Sequence, residues 1–183
     1  MKRMIFIGLL VFGLMLSWTI VSAEDNFYVI PTKKKNYAPV PKTGQTSSYA
    51  TGDDGDLQMG VPWPDPRFFD NGDGTVTDEL TGLIWLKNAN CTNGTKIWSA
   101  SLTFANSLYD GWTGDCGLSD GSSAGAWRLP NVRELHSLID FARTNPALPA
   151  GHPFTGVQMS YYWSSTKELI SADHAWVDSM YHG

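Results

Sequence analysis

The chain has only two cysteines, Cys91 and Cys116, and they lack the CxxC spacing of redox and zinc sites. Positive charge is also scarce, with 13 Lys and Arg against 18 Asp and Glu and a formal net charge of −5. No basic face is evident, and the single basic run, Lys33-Lys34-Lys35, stands in a polar stretch that reads as solvated linker. Nucleic acid is therefore a poor partner on electrostatic grounds.

Long apolar runs are missing everywhere except at the N-terminus. Lys2 and Arg3 precede an apolar segment from Met4 to Leu16, and Val21-Ser22-Ala23 offers small residues where a signal peptidase reads them. The run is short for a bilayer, which needs roughly 20 apolar residues. Residues 1–23 are expected to be a cleaved signal peptide, and an uncleaved leader would be the chain's only link to a membrane. Its removal leaves 11 basic residues against 18 acidic, a net charge of −7. The protein is expected to be exported, to the periplasm, the cell surface or the medium. In that compartment two cysteines favour a disulfide, Cys91 to Cys116, over a metal pair. Neither a metal nor another cofactor is expected.

Residues 24–61, rich in Pro, Lys, Gly, Ser and Thr, read as a polar linker, and the ordered domain is placed at 62–183. Val40-Pro41-Lys42-Thr43-Gly44 is similar to a sortase signal, but such signals stand before a C-terminal apolar tail. Arg67 to Asp70 and Thr75 to Asp78 read as strands joined by Asn71-Gly72-Asp73-Gly74, a hairpin turn. Asp70, Asp73 and Asp78 invite a calcium loop, but Gly72 and Gly74 occupy ligand positions three and five of that pattern, and Thr75 replaces its glycine. Leu83 to Leu86 reads as a buried strand.

The spacing of Ile97, Trp98, Leu102, Ala105 and Leu108 predicts a helix over Thr95–Leu108. The Gly- and Ser-rich stretch from Asp110 to Ala126 then reads as a long surface loop tethered by Cys116. Within it, Gly117-Leu118-Ser119-Asp120-Gly121 matches GxSxG in form, yet neither flank can supply the strand and helix of a nucleophile elbow. Trp127-Arg128-Leu129-Pro130 feeds a second helix, Val132 to Arg143, with Asn131 and Glu134 as a capping pair and Leu135, Leu138 and Ile139 as its buried stripe. Arg128 is left to pair with a nearby acid, and His136 reads as a surface or partly buried side chain. Tyr161 to Thr166 and His174 to Asp178 have strand character. Trp85, Trp98, Trp127, Trp163 and Trp176 are expected as core anchors.

Taken together, several of these pieces resemble the Lcl C-terminal domain family, named for a collagen-like adhesin. They are Asp70 to Asp78, Thr81 to Trp85, Trp98 with Ala105-Asn106, Trp127 to Pro130, Glu134-Leu135 with Ser137 to Asp140, and Tyr162 to Ser165. The resemblance implies an α+β, C-type-lectin-like fold in which two helices flank a twisted antiparallel sheet. Family members usually continue past the position of Trp176 with further strands, so it also implies a truncated domain whose C-terminal strands are missing. The calcium-dependent sugar triplets of true C-type lectins are absent, Trp176-Val177-Asp178 being only a partial echo. Fold alone does not give function.

The resulting expectation is a non-catalytic, exported module that binds carbohydrate or another extracellular ligand, a glycan or a protein. The adhesin that gives the family its name binds sulfated glycosaminoglycans, but a net charge of −7 repels polyanions. Candidate contact residues are Trp112, Asp115 and Asp120 in the long loop, with Tyr161 and Tyr162. A structural or vestigial envelope protein is the alternative. An enzyme like the related formylglycine-generating enzymes is a weaker one, since those use late cysteines with copper and Cys91 and Cys116 lie early.

Overall fold

The computed structural model describes residues 40–112, 114–170 and 174–183. The expected signal peptide and the first part of the expected linker lie outside the described residues. The elements, in chain order, are α1 (Asp54–Leu57), β1 (Phe68–Asp70), β2 (Thr75–Asp78), β3 (Ile84–Leu86), α2 (Trp98–Ser107), α3 (Val132–His136), β4 (Tyr161–Lys167) and β5 (Ala175–Ser179). This is an α+β fold. Its strands form two antiparallel sheets, β1-β2-β3 and β4-β5, where the sequence suggested a single sheet.

The β1–β2 hairpin is set by its turn. Gly72 and Gly74 take φ of 79° and 86°, and the neighbouring carboxylates satisfy the turn's donors. Asp70 accepts from the Gly72 N–H, and Asp73 Oδ1 accepts from both the N–H and the hydroxyl of Thr75. Asp78 lies on the neighbouring strand end, opposite Phe68. Its carboxylate accepts from Arg67, from the Leu80 N–H and from Thr81. The three acids are thus engaged by turn backbone and by Arg67. The expected buried strand at 83–86 is only partly buried, with Ile84 exposed. β3 is one of the two outer strands of its sheet, and the two-residue period turns Trp85 to the main core while Ile84 faces out.

Residues 40–61, expected as linker, are folded onto the rest. Lys42 N–H donates to the Val61 carbonyl and Val61 N–H to the Val40 carbonyl, Trp63 Nε1 donates to the Lys42 carbonyl at 2.9 Å, and Phe141 N–H donates to the Thr43 carbonyl at 2.9 Å. Asp53 caps α1 by accepting from the N–H groups of Tyr49, Ala50 and Asp56. These bonds, Tyr49's foremost, hold its carboxyl down to about 2. Gly55 is buried against the Ser47 backbone with no room for a Cβ, a close approach that polar composition conceals.

Both predicted helices form and both are shorter than expected. α2 begins at Trp98, with Ile97 in extended backbone as an N-cap that makes no side-chain capping bond. Ile97 lies outside the helix at 72% exposure, while Ala105 and Leu108 are buried. α3 starts as predicted: Asn131 accepts from the Arg133 and Glu134 N–H groups, and Glu134 accepts from the Asn131 N–H. It stops at His136 rather than Arg143. Leu138 and Ile139 donate to carbonyls three residues back, and the Asp140 and Phe141 N–H groups go to Ala147 and Thr43. Tertiary acceptors have taken the donors a longer helix would need.

The β4–β5 hairpin pairs Tyr161 with Ser179, Tyr162 with Asp178 and Trp163 with Val177, then shifts register before Lys167 meets Ala175. Both longer-range helices dock on it. Trp98 Nε1 of α2 donates to the Ser164 carbonyl, and Val132 N–H of α3 donates to Thr166 Oγ1. Leu135, Leu138 and Ile139 join Phe68, Val76 and Met180 in the main core, while a second cluster surrounds Cys91 and Cys116. Four of the five tryptophans expected as core anchors are half-buried, but Trp176 is 56% exposed. It lies on β5, which among the described residues pairs with β4 alone.

Candidate ligand-binding surface

Cys91 and Cys116 form the expected disulfide, across a separation of 25 residues, and both are buried. Cys116 fixes a loop that is more ordered than its glycine and serine content suggests. Asp110 N–H donates to the Ser122 carbonyl, Gly111 N–H to Leu118 and Gly125 N–H to Asn106. Ser119 N–H donates to the Asp73 carbonyl in the β1–β2 turn, so the serine of the formal GxSxG sits in a loop clasped to a hairpin.

Of the candidate contact residues, Trp112 has the richest surroundings. Its indole, half-buried, meets Phe104 edge-to-face at 5.8 Å and Tyr109 at 5.3 Å between ring centroids. Lys96 Nζ stands 5.2 Å from the Phe104 ring centroid. Beside them, Ser99, Ala100, Thr103 and Phe104 of α2 line an open depression of about 430 Å³. Lys96, Phe104 and Tyr109 went unnoticed in the sequence. Phe104 carried the usable signal, as an aromatic off the buried stripe and one turn from Ala100.

Asp115 is exposed, and its backbone carbonyl accepts from Asn88 Nδ2 at 2.7 Å. Asp120 is committed to structure. Its Oδ1 accepts from the N–H and hydroxyl of Ser122, whose Oγ in turn accepts from Trp127 Nε1 at 3.0 Å. The tyrosines separate as neighbours on a strand must. Tyr161 is 72% exposed, whereas Tyr162 packs on the main core and its hydroxyl accepts from the Gln158 N–H at 2.8 Å. Burial pushes the Tyr162 phenol up, partly offset by that bond. Trp112 packs on the disulfide cluster and Tyr162 on the main core, so the five residues do not make one patch.

Arg128 finds its acid. Both of its terminal nitrogens donate to Glu134 at 2.7 Å, which holds the Glu134 carboxyl below and the Arg128 guanidinium above their ordinary values. The same carboxylate closes the capping box, so the Trp127–Glu134 segment is a scaffold joint. Across the α3–β5 contact, His136 Nδ1 lies 2.9 Å from Asp178 Oδ1. Among the described residues, no group of three or more His, Cys, Asp or Glu is placed to hold a metal ion, and no helix is long and apolar enough to cross a membrane.

These features define a disulfide-tethered α+β domain whose two longer helices dock on one antiparallel hairpin. The chain belongs to the Lcl C-terminal domain family, which matches residues 74–183 and so spans β2 through β5 and the disulfide. No curated protein and no solved structure matches the chain.

Proposed function

We propose that the protein is an exported, non-catalytic module that binds carbohydrate or another extracellular ligand through the surface where α2 meets the disulfide-tethered loop. The observation that carries this reading is the aromatic group Phe104, Tyr109 and Trp112, with Lys96 above it, at the rim of an open depression. Flat rings beside a cation and small hydroxyl residues suit a ligand that is partly apolar and rich in hydrogen-bonding groups. The disulfide holds the loop in place before a ligand arrives, which lowers the ordering cost of binding.

Export is supported by that same bond, since disulfides persist in oxidising compartments. Both cysteines are committed to it, which disfavours the thiol-dependent chemistry of formylglycine-generating enzymes. Docking of α2 and α3 on the β4–β5 hairpin supports a C-type-lectin-like arrangement of the domain. The net charge favours neutral ligands over polyanions and nucleic acid.

An array of glycans and extracellular matrix proteins tests the reading. Binding to a subset is expected, weakened about tenfold by Trp112→Ala, equivalent to about 1.4 kcal/mol. Lys96→Ala, on a more exposed side chain, is expected to weaken it without lowering the melting temperature. A protein that binds nothing on such an array does not have this function.

A further inference from the structure

Asparagine followed by glycine occurs twice in the chain, at Asn71-Gly72 and at Asn93-Gly94. The pair is reactive because glycine has no Cβ to keep its backbone nitrogen away from the preceding side chain. All four residues are exposed, and a Cβ at either glycine would meet nothing within 4 Å. Access therefore does not separate the two pairs. Hydrogen bonding does.

Asn71 is pinned inside the β1–β2 hairpin. Its Nδ2 donates to Thr75 Oγ1 at 2.8 Å and to Thr77 Oγ1 at 3.0 Å. Its N–H donates to the Thr75 carbonyl, and Gly72 N–H donates to Asp70 Oδ1. The Asn93 side chain, in contrast, makes no hydrogen bond among the described residues. Asn93 takes φ of 50° in an exposed turn, with its N–H on the Asn90 carbonyl. Gly94 N–H reaches Asn90 Oδ1 at 3.2 Å, and Thr92 Oγ1 donates to the Gly94 carbonyl. These bonds stay within residues 90–94 and leave the side-chain amide loose. The turn spans two anchors, the Cys91 disulfide and the Lys96 carbonyl, which accepts from Trp163 Nε1.

We propose that Asn93 is a site of spontaneous deamidation in the folded protein and that the fold protects Asn71. The Gly94 amide nitrogen gives its proton to hydroxide and attacks Asn93 Cγ. The N–Cγ bond forms as the Cγ–Nδ2 bond breaks, and Nδ2 leaves as ammonia with a proton taken from water. Water then opens the resulting succinimide at either carbonyl, so residue 93 becomes aspartate or isoaspartate. One water is consumed and one ammonia released, with no oxidant or reductant. The same attack at Asn71 requires its amide to leave Thr75 and Thr77 and the hairpin turn to open. The product places a negative charge three residues before Lys96 in the chain. Isoaspartate also lengthens the backbone between the disulfide and α2. The chemistry needs no ligand, so it stands apart from the binding-module reading.

The test is incubation of the full chain in mildly alkaline buffer made with heavy-oxygen water, followed by peptide mapping. Succinimide hydrolysis places heavy oxygen on the product, so only newly converted sites are counted. In the folded protein, conversion at 93 is expected to lead conversion at 71 about tenfold or more, equivalent to about 1.4 kcal/mol. In concentrated urea the two sites should convert at nearly equal rates, because the bonds to Thr75 and Thr77 are gone. Thr77→Val should raise conversion at 71 and leave 93 unchanged. Asn93→Gly accommodates the positive φ and should abolish the label at that position. Equal conversion at both sites in the folded protein overturns the proposal, as does a lead for 71. So does a folded protein unlabelled at 93 over a period in which the unfolded chain is fully converted. A lead for 93 that persists unchanged in urea belongs to the local sequence and overturns protection by the fold.

Discussion

At the scale of single residues, the Arg67–Asp78 pair shows what chain order hides. Both side chains are almost fully buried, with Arg67 Nε and Nη2 each 3.1 Å from the carboxylate. Arg67 also donates to the Ser137 carbonyl at 2.5 Å, and its guanidinium lies 4.8 Å from the ring centroids of both Trp63 and Phe68. One ion pair thus ties the hairpin, the segment before it and the end of α3. Asp78→Ala leaves a buried guanidinium unpaired, and a loss of about 3–5 kcal/mol is expected in a urea unfolding curve. A loss below about 1 kcal/mol, the range of exposed pairs, would show the pair to be solvated. Asp78 read correctly from the sequence as the end of a strand. Its partner did not emerge, because the hairpin register alone sets Phe68 opposite Asp78 and so brings Arg67 within reach.

At the scale of elements, local signals located starts better than stops. The capping box at Asn131 and Glu134 marks where α3 begins, since every atom involved lies within one turn. Its end depends on Ala147, in the following loop, and on Thr43, far along the chain. The long loop follows the same logic. Its composition reads as open, while its order comes from the disulfide and from backbone bonds to Asn106 and Asp73. Reduction of Cys91–Cys116 is accordingly expected to cost about 3 kcal/mol on loop-closure grounds. Protease cleavage within 110–126 should appear under reducing conditions before the rest of the domain is cut. Equal melting temperatures with and without reductant would contradict the tether's role. The Trp112 cluster shares the restraint, so ligand binding through it should fall on reduction as well.

At the scale of the whole molecule, acid is expected to weaken the fold in a particular order. His152 is partly buried with Nδ1 lacking a partner, and burial, helped by Arg143, holds its imidazole below the ordinary 6.5. A depressed folded-state value means the unfolded chain binds the proton more readily. Its contribution is therefore complete above 6.5 and is lost as pH falls toward the folded value. The carboxylates of Asp53, Asp70 and Glu134 are also held low, by backbone N–H groups, by Lys87 and by Arg128 respectively, and they withdraw their support only in stronger acid. Melting temperatures of His152→Gln should fall less than those of the parent between neutral pH and about pH 5. Parallel curves would remove His152 from this role.

The sequence by itself determined the α+β class, the family, the disulfide, the hairpin at Asn71–Gly74 and the capped start of α3. The class and the family rest on the resemblance of ordered motifs, while the disulfide, the hairpin and the helix start rest on an even pair of cysteines, on turn chemistry and on capping, which act over a few residues or admit one solution. Only the tertiary structure decided that residues 40–61 fold onto the domain, that the strands divide into two sheets, that Asp120 is structural and that Trp176 is open. Those outcomes turn on which distant backbone groups and side chains cover which surface. A tryptophan on a strand has the same propensity whether or not a neighbour lies over it, and burial is a property of the neighbour.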